Sequence, residues 1–123
     1  MNLYEYSCEV VRVVDGDTYD LRVNCGFKIE LTERFRLMGA DTPEKYGRRA
    51  SDEGKAASVF VEDLLGKQDK PLLIKTFKDR KGKYGRYLVD VMINIDENGQ
   101  LFTYPRSLSE YLVEKGIAKT YKV

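Results

Sequence analysis

The chain of 123 residues suits one compact domain with one modest core, and a single domain over residues 1–123 is expected. It contains no histidine, which removes Ser-His-Asp and Cys-His hydrolysis, histidine-ligated metal centres and haem. Any chemistry must therefore rest on carboxylates, hydroxyls, amines, guanidiniums or a metal on oxygen ligands. The net charge is only +1, yet residues 75–86 carry Lys75, Lys78, Arg80, Lys81, Lys83 and Arg86 against Asp79, so any polyanion signal is local.

In chain order, residues 4–14 read as a strand, Asp15-Gly16-Asp17 as a turn and residues 18–23 as the return strand, which together predict a hairpin. Cys8 and Cys25 are too few and too far apart for a zinc cage or a redox motif, and two reduced, half-buried thiols are the leading reading. A tight turn near Gly16 would place them opposite each other, which leaves a disulfide as the minority alternative. A second turn at Asn24-Cys25-Gly26 leads to a third strand over residues 28–38, with Ile29, Leu31, Phe35 and Leu37 as its apolar positions. Three consecutive antiparallel strands are the simplest topology.

From Ser51 the apolar period changes to that of a helix: Ala56, Phe60 and Leu64 form a stripe flanked by Ala57, Val61 and Leu65, and Gly66 is the expected stop. Residues 72–77 and 87–95 return to strand character on either side of the basic loop. Asn98-Gly99 predicts a hairpin turn into a short run at residues 101–104. Ser107 and Glu110 make a capping box for a second helix with Leu108, Tyr111 and Leu112 on one face and Gly116 as terminator. About five strands and two helices predict an α+β fold, a small, partly closed barrel of the OB type.

The segment Arg36-Leu37-Met38-Gly39-Ala40-Asp41-Thr42-Pro43-Glu44 gathers an arginine, two carboxylates and a proline-stiffened turn at the end of a strand. Polar groups at strand ends converge on clefts, and Pro43 keeps Thr42 out of helical geometry. Alone, this is also how an ordinary solvated Asp-Thr-Pro turn reads. If the first and third strands share a sheet, Asp17 approaches Asp41, and two carboxylates at one site repel unless a cation neutralises them. A hard divalent ion fits such a site, with Thr42 adding its carbonyl and Glu44 holding a water.

Three motifs, Val13-Val14-Asp15-Gly16-Asp17-Thr18, Phe35 through Glu44, and Lys83-Tyr84-Gly85-Arg86, occur in an order that resembles the staphylococcal nuclease (thermonuclease) family. Residues 112–119 also resemble that family's C-terminal helix and its exit, so the likeness spans nearly the whole chain. It implies a five-stranded OB-type barrel with two to three helices, and a calcium-dependent endonuclease that cleaves the 5′-oxygen–phosphorus bond of DNA and RNA to leave 3′-phosphate ends. The resemblance assigns Asp17, Asp41 and Thr42 to Ca²⁺, Glu44 to the attacking water, Arg36 and Arg86 to the scissile phosphate, and Lys83 and Tyr84 to a neighbouring phosphate of the bound strand. The partners implied are DNA and RNA, preferably single-stranded, with a monomer as the default state.

Each assignment has a plainer counterpart: Arg36 pairing with Glu33 or a nearby acid, the basic loop as a solvated hairpin tip, Tyr121 as a packed or frayed ring and not a stacking one. Two stretches depart from the family's pattern: residues 24–34 are longer, and residues 45–49 are short and basic, which leaves substrate preference open. A nucleic-acid-binding module on the same barrel without turnover is the alternative function, and a purely structural OB domain is a third. No apolar run approaches the ~20 residues a membrane helix needs, and the first residues lack a signal-peptide pattern. The expectation is a soluble protein with no membrane partner, cytoplasmic as given or secreted if an export segment has been removed.

Overall fold

Two long strands, β1 (Glu5–Asp15) and β2 (Thr18–Asn24), form the expected hairpin around Gly16 and Asp17. The computed structural model describes residues 4–48, 50–68, 71–77, 87–95 and 101–120. The hairpin is not a regular ladder. Asp15 faces Thr18, and an unbroken register from there would set Cys8 opposite Cys25, but irregularities between Val10 and Arg12 and between Val13 and Asp15 each shift the pairing, so that Cys8 faces Val23. Both cysteines are free, Cys8 buried in the core and Cys25 half-buried, so the disulfide alternative fails on register and the reduced reading holds.

A turn at residues 25–29 leads into β3 (Glu30–Leu37), which pairs antiparallel with β2 from Asn24↔Glu30 to Thr18↔Arg36. Phe27 and Lys28 both adopt positive φ there, and Ile29 N–H donates to Gly26 C=O at 2.9 Å. The strand starts later than expected for this reason. Of its four predicted apolar positions only Phe35 and Leu37 are buried; Ile29 and Leu31 are exposed because this end of the hairpin projects past the core.

The helix α1 (Asp52–Gly66) is capped by Ser51, whose side chain accepts from Gly54 N–H, with Asp52 and Glu53 in the first turn where the helix dipole favours acids. Its buried stripe is Gly54, Ala57, Ser58, Val61, Leu64 and Leu65, rotated from the expected one: Ala56 faces solvent and Phe60 is only half-buried. Gly66 is the last helical residue and Lys67 the cap, so no left-handed glycine ends this helix.

The strands β4 (Ala40–Asp41), β5 (Leu72–Phe77), β6 (Tyr87–Ile95) and β7 (Leu101–Ser107) complete the sheets with β8 (Lys119–Thr120). β1 pairs with β2 and β5, β2 with β3, β5 with β6, and β6 runs parallel to β3 from Phe35↔Tyr87 to Leu37↔Val89. These pairings close a five-stranded barrel, so closure is fuller than the sequence reading supposed; β7 pairs with the far end of β6, from Met92↔Ser107 to Ile95↔Leu101, past the residues that β3 meets. Tyr19, Leu21, Leu37, Ile74, Val89, Val91 and Ile93 fill it, roofed by Val61 of α1.

The second helix α2 (Leu108–Glu114) begins at the predicted cap, Ser107, which accepts from Glu110 N–H. Asp90 on β6 fixes that end: Ser107 Oγ donates to its carboxylate and Ser109 N–H does so at 3.3 Å. Gly116, at φ +75°, ends it in a left-handed turn, with Ile117 N–H on Leu112 C=O and Gly116 N–H on Val113 C=O. The chain then returns as β8 to pair with β4, Asp41↔Lys119. Asp41 is therefore held from the C-terminal side as well. Among the described residues no helix is long and apolar enough to cross a membrane.

Candidate active site

The site is assembled where the β1–β2 turn meets the end of β3. Leu37 N–H donates to Asp17 C=O at 2.8 Å, which ties the turn to the strand, and the Asp17 side chain then reaches forward. Its Oδ2 accepts from Thr42 N–H at 3.1 Å and its Oδ1 from Thr18 Oγ1 at 3.0 Å. One nitrogen of Arg36, Nη2, lies 2.9 Å from Asp41 Oδ1 and 3.5 Å from Asp17 Oδ2. The two carboxylates thus converge on a single guanidinium, as their mutual repulsion requires. Arg36 does pair with nearby acids, as its plainer reading had it, but they are Asp17 and Asp41 and not Glu33, which faces Leu21 across the β2–β3 ladder.

The two acids differ in setting. The Asp17 side chain is 10% exposed and that of Asp41 52%. Burial pushes the Asp17 carboxyl above its ordinary range; the Thr42 N–H, the Arg36 charge and the Thr18 hydroxyl act against burial, and the Asp41 charge adds to it. Such a carboxylate gains from any further cation placed against it. Thr42 is buried with its Oγ1 unpartnered among the described residues, beside Gly16, where an added Cβ would lie 2.8 Å from that oxygen.

The acidic groups gathered here, the carboxylates of Asp17 and Asp41, are hard oxygen donors. They fit a hard divalent cation and offer nothing to a soft one. Glu44 does not enlarge the acid pair, since no group of three or more acidic or thiol side chains at ligating distance forms among the described residues. It is exposed, and its backbone bridges to Ala50 ahead of α1.

Asp17, Arg36, Asp41 and Thr42 therefore come together, with Glu44 three residues past Asp41. Arg86, Lys83, Tyr84, Tyr121 and the Asn98-Gly99 turn lie outside the described residues. Tyr87, which follows Arg86 in the chain, pairs with Phe35, and Leu88 with Arg36. Just past Glu44, in the short basic stretch of the sequence reading, the Lys45 ammonium sits 5.2 Å from the Tyr46 ring, and Arg12 Nη2, which that reading did not single out, donates to Tyr46 Oη at 3.3 Å.

The fold is a small OB-type barrel with an acid pair and an arginine gathered where the β1–β2 turn, β3 and β4 meet. Residues 34–123 match the family described as "Staphylococcal nuclease homologue", and the chain belongs to that family. Among its relatives, Endonuclease YhcR of Bacillus subtilis (strain 168) is 32% identical over 124 residues, 95% of this chain and 9% of that protein. Thermonuclease of Staphylococcus intermedius is 38% identical over 93 residues, 70% of this chain and 51% of that protein. Micrococcal nuclease of Shigella flexneri is 29% identical over 118 residues, 96% of this chain and 60% of that protein. In each case the chain spans less than two thirds of the relative's length.

Proposed function

We propose that the chain is a calcium-dependent endonuclease that hydrolyses DNA and RNA, preferably single-stranded, at the 5′-oxygen–phosphorus bond to leave 3′-phosphate ends. The observation that carries the reading is the convergence of Asp17 and Asp41 on Arg36, with the backbone of Thr42 tied to the same carboxylate. Membership of a nuclease family, and relatives named as nucleases, support it.

Asp17, Asp41 and the Thr42 carbonyl would hold the ion. Bound there, a divalent cation supplies Lewis-acid polarisation of a phosphoryl oxygen. Arg36, with its planar donor fork, binds a non-bridging phosphate oxygen and stabilises the extra negative charge of the five-coordinate phosphorus; Arg86 does so from the other side. Glu44 orients the attacking water and accepts its proton at a carboxylate oxygen. Lys83 and Tyr84 bind the next phosphate along the strand. Every contact is to backbone phosphate, so base identity and sugar are read weakly and a single strand fits best.

The test is cleavage of a labelled single-stranded oligonucleotide with Ca²⁺ and with a chelator, with product ends identified. Calcium-dependent cleavage leaving 3′-phosphates, lost in Arg36→Ala, is expected. Tight, salt-sensitive binding of an intact strand in the presence of Ca²⁺ would instead favour the binding-module alternative.

A further inference from the structure

The segment that carries Glu44 is gripped from two sides, and two of the residues that grip it, Asp15 and Gly54, have no part in the chemistry just described. On one side is the β1–β2 turn. Asp15 Oδ1 accepts from Lys45 N–H at 2.9 Å, while Asp17 accepts from Thr42 N–H, so neighbouring carboxylates of one turn hold the amides on both flanks of Glu44.

On the other side is the first turn of α1. Ser51 N–H donates to Glu44 C=O at 3.0 Å. Gly54 lies so close that a Cβ at that position would fall 1.8 Å from Glu44 O, 2.3 Å from Glu44 C and 2.9 Å from Lys45 N. The obstructing atoms are backbone, so no side-chain rotation relieves the overlap; the helix or the Glu44 segment must move. Nothing about the helix itself asks for glycine here, since Gly54 is not at positive φ and alanine is the better helix former.

We propose that Asp15 and Gly54 are positioning residues for Glu44: Asp15 anchors the backbone on its C-terminal flank, and the missing side chain of Gly54 lets that backbone seat against α1, so that the Glu44 carboxylate meets the water at a fixed place. The proposal rests on the nuclease reading, in which Glu44 serves the attacking water. A displacement of about 1 Å at such a group costs on the order of a hundredfold in rate.

The experiment compares wild type with Gly54→Ala, Asp15→Ala and Asp15→Asn, measuring kcat and KM on a single-stranded oligonucleotide with Ca²⁺, melting temperature, and amide exchange of Lys45 by NMR. Gly54→Ala is expected to melt lower than wild type, because backbone must shift to relieve the overlap, and, assayed well below that melting temperature, to lose about a hundredfold in kcat at nearly unchanged KM, a split that general loosening of the fold would not give. Asp15→Ala is expected to lose kcat in the same way and to speed Lys45 exchange; Asp15→Asn, which keeps an acceptor, stays within a few-fold of wild type on both.

A Gly54→Ala protein that cleaves at the wild-type rate overturns the role of Gly54. An Asp15→Asn protein as impaired as Asp15→Ala shows that charge and not the anchor matters, and overturns the role of Asp15. If wild type itself cleaves nothing, the nuclease reading fails and the positioning role fails with it; Lys45 exchange then separately reports whether Asp15 anchors the segment.

Discussion

Removing the Arg36 guanidinium should make this protein depend on calcium for stability as well as for cleavage. Its side chain is 12% exposed and that of Asp17 10%, so Arg36→Ala leaves a nearly buried carboxylate with only the Thr42 amide and the Thr18 hydroxyl to support it. Exposed pairs contribute ~0.2–1 kcal/mol and breaking a buried pair costs ~3–5 kcal/mol. Because Asp41 is half exposed and the Asp17 contact is long, the loss falls between these limits, about 2 kcal/mol. For a domain of this size that is a drop of roughly 8 °C in melting temperature. The assay is thermal unfolding followed by circular dichroism, with a chelator and with saturating Ca²⁺. An ion held by Asp17 and Asp41 no longer competes with the guanidinium in the variant, so calcium should raise its melting temperature more than that of wild type and narrow the gap. Cleavage should stay depressed by about 10²–10³, because in the proposed mechanism Arg36 donates to the phosphate and no ion replaces that donor. Equal melting temperatures in chelator, or an equal calcium shift in both proteins, would refute the reasoning.

Three further outcomes follow from other parts of the fold. Gly16→Ala would set a Cβ 2.8 Å from Thr42 Oγ1 and 2.9 Å from its Cγ2; a buried β-branched neighbour gives way poorly, so a loss of about 1–3 kcal/mol in urea unfolding is expected, and an unchanged midpoint would contradict it. Asp90 is pushed above its ordinary value of 3.8, first by burial, against the opposing hydrogen bonds of Ser107, Ser109 and Val91. The native state then holds this proton more tightly than the unfolded chain, so its stabilising contribution is full below the unfolded-state value and is lost as pH rises through the folded-state one. The stability of wild type relative to Asp90→Asn should accordingly fall with rising pH across that window, and a rise would overturn the assignment. Burial and the charge of Glu9 push the Cys8 thiol up to about 12, so iodoacetamide at neutral pH should modify Cys25 and spare Cys8 in the native protein. Equal labelling of the two would count against the buried, reduced reading.

Much of this architecture was legible before any coordinates, and the exceptions share a cause. The hairpin turn at Gly16 and the cap at Ser107 were readable because each is a local pattern whose chemistry is complete within a few residues. The strand-end cluster of Arg36, Asp41 and Thr42 was readable for the same reason, and its union with Asp17 followed from pairing neighbouring strands. What escaped depends on tertiary approach. The β1 irregularities that separate Cys8 from Cys25 carry no glycine or proline signal, and the rotated stripe of α1 reflects which face meets β1, with Ala56 apolar by composition yet turned outward. Ile29 and Leu31 alternate like core positions, but the barrel does not extend under them. Asp15 was visible as part of a turn and of the motif from Val13 to Thr18, with no role of its own, and Gly54 was not singled out. Their meaning comes from a backbone more than eight residues away in sequence.

The most direct test is a crystal structure of the protein with Ca²⁺ and a short single-stranded oligonucleotide whose scissile linkage is a non-hydrolysable phosphonate. The account predicts an ion on the carboxylates of Asp17 and Asp41 and the carbonyl of Thr42, with the guanidiniums of Arg36 and Arg86 on opposite sides of one phosphorus and a water between it and Glu44. An ion bound elsewhere, or a strand lying across the barrel with Arg36 and Arg86 turned away from its backbone, would contradict it.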